Sequence, residues 1–201
     1  MDYKQPTMDS YNQNAELLAA KFGRLTDLSR RTEFPRFMEL IPGKRVLDLG
    51  CGAGDHAAYF QSQGLEVTCV DLSDEMVRLC REKGLDARVM DIENLTFDDG
   101  SFDGVWAVTS LLHIPKQRLP AVISQLYGIT KDDGMLYVCV KEGDGERMVP
   151  DKFANTERFF SFWKEKELNG IIAPYFSPIE TCHVDVKGTV FLQTFYRRNS
   201  L

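Results

Sequence analysis

From Lys44 onward the chain alternates short apolar runs with amphipathic stretches, the pattern of βαβ units that build a parallel sheet. Five strands are predicted, over Arg45 to Leu49, Glu66 to Val70, Ala87 to Met90, Phe102 to Val108 and Met135 to Lys141. Each is rich in Val, Leu or aromatic residues and bounded by Gly, Asp or Ser. The stretch from Ser73 to Gly84 is punctuated as a helix, with Ser73 as N-cap, acids in the first turn, bases in the last and Gly84 as the stop. Between Lys116 and Ile129, the residues Leu119, Val122, Ile123, Leu126 and Tyr127 recur at helical spacing, which predicts a helix with one face on the sheet. Ile179 to Val186 and Thr189 to Tyr196 flank Lys187-Gly188 and read as an antiparallel hairpin. Near the N-terminus two helices are expected, one over Tyr11 to Phe22 and one from Glu33 to Ile41. Phe159, Phe162, Trp163 and Lys166 also fall at helical spacing and read as a helix packing its apolar face on the sheet.

A length of 201 residues favours a single domain with a real core. Hydrophobic residues at 43% and charged residues at 27% exclude disordered and collagen-like classes. The net charge of −6, with no run of Lys or Arg longer than two, disfavours a nucleic-acid partner. The polar start Met1-Asp-Tyr-Lys-Gln-Pro and the absence of a long apolar run lead to the expectation of a cytoplasmic protein without a membrane partner. Five cysteines lie at least 11 residues apart without a C-x-x-C pair, so reduced, mostly buried thiols are expected rather than disulfides or a zinc knuckle. The three histidines have no metal-ligand spacing, and no metal is expected.

The most informative stretch is Val46-Leu-Asp-Leu-Gly-Cys-Gly-Ala-Gly-Asp-His, a buried strand running into three glycines and then a helix. Gly50, Gly52 and Gly54 let the turn adopt unusual backbone angles and let a ligand approach the backbone, with a helix N-terminus facing it. Asp71, at the end of the second strand, is placed to accept hydrogen bonds from both hydroxyls of a ribose. A dinucleotide site shares this geometry. Its G-x-G-x-x-G fingerprint needs glycine at position 55, however, where this chain has Asp55, and Asp48 and Asp55 flanking the turn would repel a pyrophosphate and favour a cationic ligand.

The turn Asp48-Leu-Gly-Cys-Gly-Ala-Gly resembles the first motif of the class I S-adenosylmethionine-dependent methyltransferases, an acid followed by G-x-G-x-G. Asp71 in Cys-Val-Asp-Leu-Ser, Asp91 in Val-Met-Asp-Ile-Glu, the turn Phe97-Asp-Asp-Gly-Ser-Phe-Asp and Leu111-Leu-His-Ile-Pro also look like that family, in order and at its spacing. The resemblance implies an α/β fold: a doubly wound, Rossmann-like, mostly parallel seven-stranded sheet with helices on both faces and an antiparallel C-terminal hairpin. It divides one methyltransferase domain into a helical cap (1–41), a cofactor-binding core (44–141), an acceptor lid (142–177) and the hairpin (178–198). The cofactor implied is S-adenosylmethionine, leaving as S-adenosylhomocysteine. The cofactor-binding set implied is Asp48, Gly50, Cys51, Gly52, Gly54, Asp71, Leu72, Asp91, Ile92 and Val108. In it Asp48 and the glycine backbone hold the methionyl portion, Asp71 the ribose, and Asp91 with Ile92 the adenine. Tyr11 is placed near the methionyl end, its ring facing the sulfonium.

A methyl group on a sulfonium is already electrophilic, so catalysis can consist mainly of holding the acceptor close and excluding water. Where the acceptor carries a proton, His113 after the fourth strand is the candidate base; the competing reading is a loop histidine bonded to backbone. Aromatic residues concentrate between 142 and 177, where they are either a packed helix or a lid over an apolar or planar acceptor. The chain departs from the family's adenine and glutamine N-methyltransferases, whose [N/D]-P-P-[Y/F/W] is replaced by Ala107-Val-Thr-Ser-Leu-Leu, and from the Gly-Phe often found before the sixth strand. The expected activity is therefore methyl transfer to a small-molecule acceptor. An NAD-type oxidoreductase and a non-catalytic cofactor-binding regulator are the alternatives.

Overall fold

The structure, a computed structural model, describes residues 3–25, 31–151 and 156–200. The predicted strands form as β1 (Arg45–Leu49), β2 (Glu66–Asp71), β3 (Asp86–Val89), β4 (Phe102–Val108) and β5 (Thr130–Lys141). They join β8 (Phe176–Val186) and β9 (Thr189–Arg198) in a seven-stranded sheet of order β3-β2-β1-β4-β5-β9-β8. The first five strands pair in parallel, whereas β9 pairs antiparallel with both β5 and β8. Lys187 and Gly188, both at positive φ, make the tight turn of the C-terminal hairpin.

Parallel strands are covered on both faces, so their successive side chains enter two different cores. Leu47, Leu49, Val105, Leu136 and Val138 join the first core together with Leu119, Val122, Ile123 and Leu126 of α6 (Leu119–Ile129) and Leu168 and Ile172 of α7 (Glu165–Ile172). Val46, Trp106, Met135 and Tyr137 join the second. There they meet Phe34 and Phe37 of α3 (Glu33–Leu40), Ala57 and Phe60 of α4 (Asp55–Ser62) and Val77 and Cys80 of α5 (Asp74–Glu82). The sheet is thus doubly wound. Ser73 caps α5 as its sequence predicts, its hydroxyl accepting the Met76 N–H at 3.1 Å.

Two expectations are corrected. The N-terminal helix predicted from Tyr11 to Phe22 is a pair, α1 (Lys4–Gln13) and α2 (Ala15–Leu25), interrupted at Asn14, whose side-chain amide donates to Ser10 O at 2.9 Å. An Asn that bonds its own backbone competes with the helical ladder. The helix predicted through Phe159, Phe162, Trp163 and Lys166 is instead a strand, β7 (Glu157–Ser161), a connection and the start of α7. β7 pairs antiparallel with β6 (Glu146–Pro150) as a separate two-stranded ribbon. Phe160 and Trp163 belong to the first core, with residues of α6 and α7, and Ser161 is also buried.

Candidate functional site

The strand order reverses between β1 and β4, and ligands of open α/β sheets bind where such a reversal opens a crevice at the carboxyl ends of the strands. A cavity of about 200 Å³ lies there. Asp48, Gly50, Cys51, Gly52, Asp71, Leu72, Asp91, Ile92, Val108, Tyr11 and His113 all line it. Gly54 does not: a Cβ there would lie 2.5 Å from Leu85 Cδ1 and 2.7 Å from Cys80 Sγ, so this glycine, at φ +79°, packs the start of α4 against α5. Gly52, at φ +54°, is the opposite case, since a Cβ on it would meet no protein atom within 4 Å and would project into open space.

The turn after β1 is fastened to β2 through its backbone. Gly50 and Cys51 both donate to Val70 O, at 2.8 and 3.0 Å. Asp71 closes the arrangement: its Oδ2 accepts the Gly52 N–H and its Oδ1 the Ser73 N–H, both at 2.9 Å. Burial pushes the Asp71 carboxyl up to about 6, against the pull of these amides. In the ribose-binding role expected of it Asp71 must be ionised to accept charge-assisted bonds, so its contribution to S-adenosylhomocysteine affinity is expected to be full above pH 7. It should fall below pH 6, approaching tenfold per pH unit, when measured by calorimetry across that range.

Asp48 is buried at the end of β1, and its Oδ2 has no hydrogen-bond partner. Burial drives this carboxyl well above the carboxylate range, with Cys80 and Asp71 adding to the effect and a bond from the Ala57 amide opposing it. An orphaned buried carboxyl beside a glycine cradle fits a ligand that brings its own cation. The α-ammonium of a methionyl group is such a cation.

At the other end of the cavity Asp91 Oδ1 accepts the Glu93 N–H at 2.9 Å, and Oδ2 pairs with Lys4 of α1 at 2.5 Å. Lys4 also pairs with Glu93, and Tyr3 donates to the same carboxylate. Helix α1 is therefore fastened across the mouth of the cavity, with Tyr3, Lys4, Thr7, Met8 and Tyr11 on the wall. Phe159 N–H donates to Thr7 Oγ1 at 3.0 Å, so α1 is also joined to β7.

Tyr11 and His113 meet where α1, β7 and the end of β4 converge. Arg158 Nη1 lies 3.0 Å from Tyr11 Oη, Tyr11 Oη 3.0 Å from His113 Nε2, and His113 Nδ1 2.6 Å from Phe159 O. A guanidinium only donates and a carbonyl only accepts, so one direction satisfies all three bonds. Arg158 donates to Tyr11, Tyr11 donates to Nε2, and Nδ1–H donates to the carbonyl. His113 is held neutral in that tautomer, and burial pushes it down to about 3. Arg158 is itself paired with Asp151 at 2.7 Å. Two wall residues had no sequence signal. Ser110 has a buried hydroxyl without a partner, and Thr109 sits at φ +54°, an outlier for a β-branched residue.

A model for a methyltransferase domain matches residues 46–134, the segment that carries the cradle, Asp71 and Asp91. A malonyl-(acyl-carrier protein) O-methyltransferase of Pectobacterium atrosepticum is 29% identical over 178 residues, 82% of this chain and 70% of that protein. These matches support a class I S-adenosylmethionine-dependent methyltransferase. A ubiquinone biosynthesis O-methyltransferase of Xanthomonas campestris is 35% identical over 105 residues; the match covers 49% of this chain but only 43% of that relative. Among solved folds, a Burkholderia thailandensis 1,6-didemethyltoxoflavin-N1-methyltransferase with bound S-adenosylhomocysteine superposes with a TM-score of 0.67 at 23% identity, over 95% of this chain and 89% of that protein. S-adenosylmethionine is the methyltransferase's cofactor, and the dinucleotide alternative is set aside. Among the described residues no helix is long and apolar enough to cross a membrane.

Proposed function

We propose that this methyltransferase methylates an oxygen that is already ionised when it binds, the carboxylate of a small acid or of an acyl group ending in a free carboxyl. When bound, S-adenosylmethionine supplies an electrophilic methyl group on a sulfonium. Asp48 and the turn from Gly50 to Gly52 would hold the methionyl end, Asp71 and Leu72 the ribose, and Asp91 and Ile92 the adenine. Tyr11, Val108 and His113 complete the wall.

The observation that carries the acceptor reading is the state of His113. Its Nε2 already accepts from Tyr11, and a group held at about 3 is a poor proton acceptor at neutral pH. An alcohol or an ammonium acceptor needs a base, whereas a carboxylate does not. His113 and Tyr11 are then positioning residues that fix α1 over the cavity and exclude water, and the β6–β7 ribbon acts with them as the lid. The curated relative named for malonyl-(acyl-carrier protein) supports the same class of acceptor.

The test is a matched panel of malonyl-coenzyme A, simple dicarboxylic acids, a catechol and a primary amine. Release of S-adenosylhomocysteine is followed together with the mass of the product. Methyl esters from the carboxylates are expected, with the catechol and amine inert. Methylation confined to the catechol or the amine would overturn the reading.

A further inference from the structure

Three cysteine side chains from separate elements converge beneath the glycine turn. Cys51 comes from the turn itself, Cys69 from β2 and Cys80 from α5. Their sulfur atoms all lie within 4.8 Å of one another, with Cys51 and Cys80 3.6 Å apart. A metal bound to sulfur at about 2.3 Å holds neighbouring sulfurs about 3.8 Å apart in a tetrahedron and about 4.0 Å apart in a trigonal plane. The observed spacing brackets both. We propose that Cys51, Cys69 and Cys80 form a binding site for one soft divalent cation of the zinc or cadmium type, entered from the cofactor cavity.

An all-sulfur donor set selects soft, thiophilic ions over magnesium or calcium. Cys69 and Cys80 are buried, while Cys51 lines the cavity and supplies the access route. The Asp71 carboxylate acts electrostatically on Cys51 and adds a field that favours a cation. On uptake each coordinating thiol exchanges its S–H bond for a sulfur–metal bond and its proton passes to the buffer; no oxidation state changes.

The site is tied to the cofactor turn. Cys80 Sγ–H donates to Gly52 O at 3.1 Å, and the Gly52 N–H is the donor that holds Asp71. Losing the Cys80 proton to a metal removes the first contact and pulls Cys51 toward the ion, so ion and cofactor antagonise one another. This consequence rests on the cofactor's place in the cavity; the ion site itself does not.

The experiment titrates the full chain, reduced with a phosphine under nitrogen, with cadmium alone and follows the ultraviolet thiolate-to-cadmium charge-transfer band. One ion per chain is expected. Cys69→Ala and Cys80→Ala should each weaken it at least tenfold, with Cys182→Ser on β8 binding as the unaltered protein does. Absence of the band, or a band that survives in both alanine variants, would overturn the site. Proton release in the unaltered protein covers the case of a variant that does not fold: two or more protons per ion are expected, and fewer than one contradicts thiol ligation. One equivalent of cadmium should raise the Kd of S-adenosylhomocysteine at least tenfold, and an unchanged Kd overturns the antagonism. The Kd of the metal-free protein checks the cofactor reading separately.

Discussion

Asp48→Asn should weaken S-adenosylhomocysteine binding by about 2–5 kcal/mol, the usual cost of removing one partner of a buried charge pair, while raising the thermal stability of the ligand-free protein. Both effects have one cause. In the free protein Asp48 is buried at the end of β1 with Oδ2 unpartnered, and burial holds its pKa well above the carboxylate range. The sign follows from linkage. The unfolded carboxyl ionises near 3.8 and the folded one well above it, so the folded state loses stability as pH rises through that window. An isosteric amide removes the loss. A cationic methionyl group reverses the balance by pairing with the ionised carboxylate, and binding at neutral pH should therefore release a proton. Calorimetry in buffers of different ionisation enthalpy, with a thermal melt of each protein, reads all three effects. A variant that binds normally, or a melting temperature that falls, would show that Asp48 does not face the ligand's cation.

The second large effect is expected at Tyr11. Tyr11→Phe removes the hydroxyl that accepts from Arg158 and donates to His113 Nε2, leaving both buried groups without that partner. The cost is about 1–3 kcal/mol for a stranded buried polar group. At 201 residues this lowers Tm by about 2–4 °C per kcal/mol. Because α1 also carries Lys4 and Thr7, whose bonds close the cavity, KM for the cofactor should rise. In kcat the change should stay under tenfold, since no proton passes through the pair. Loss of the roughly 10²–10⁴-fold typical of a general base, at unchanged KM, would assign Tyr11 and His113 to proton transfer instead.

The parallel sheet was legible because strands buried on both faces read as near-continuous apolar runs, and the cavity's acids were legible because they sit at fixed offsets from those strands. Asp48, Asp71 and Asp91 all reach one cavity for that reason. The acceptor side follows no such period. Phe159, Phe162, Trp163 and Lys166 matched a helical spacing by coincidence, being distributed over a strand, a connection and a helix. The pairing of β7 with β6 depends on a register that no local pattern states. Likewise the three-thiol cluster lacks a C-x-x-C signature because each sulfur comes from a different element. His113 was visible as a candidate base, but its bonding by Tyr11 and Phe159 is a tertiary fact, and it changes the chemistry expected of the site.

The most direct measurement of the proposed chemistry is the rate of S-adenosylhomocysteine formation against pH, at saturating cofactor and with a carboxylic acid acceptor. With an acceptor ionised before it binds, and His113 held at about 3, the rate at saturating cofactor should be flat from pH 6 to 9, the Asp71 ionisation near 6 in the free protein showing in cofactor affinity instead. A tenfold rise per pH unit between 6 and 8 would contradict this, since it would show a base titrating in the reacting complex.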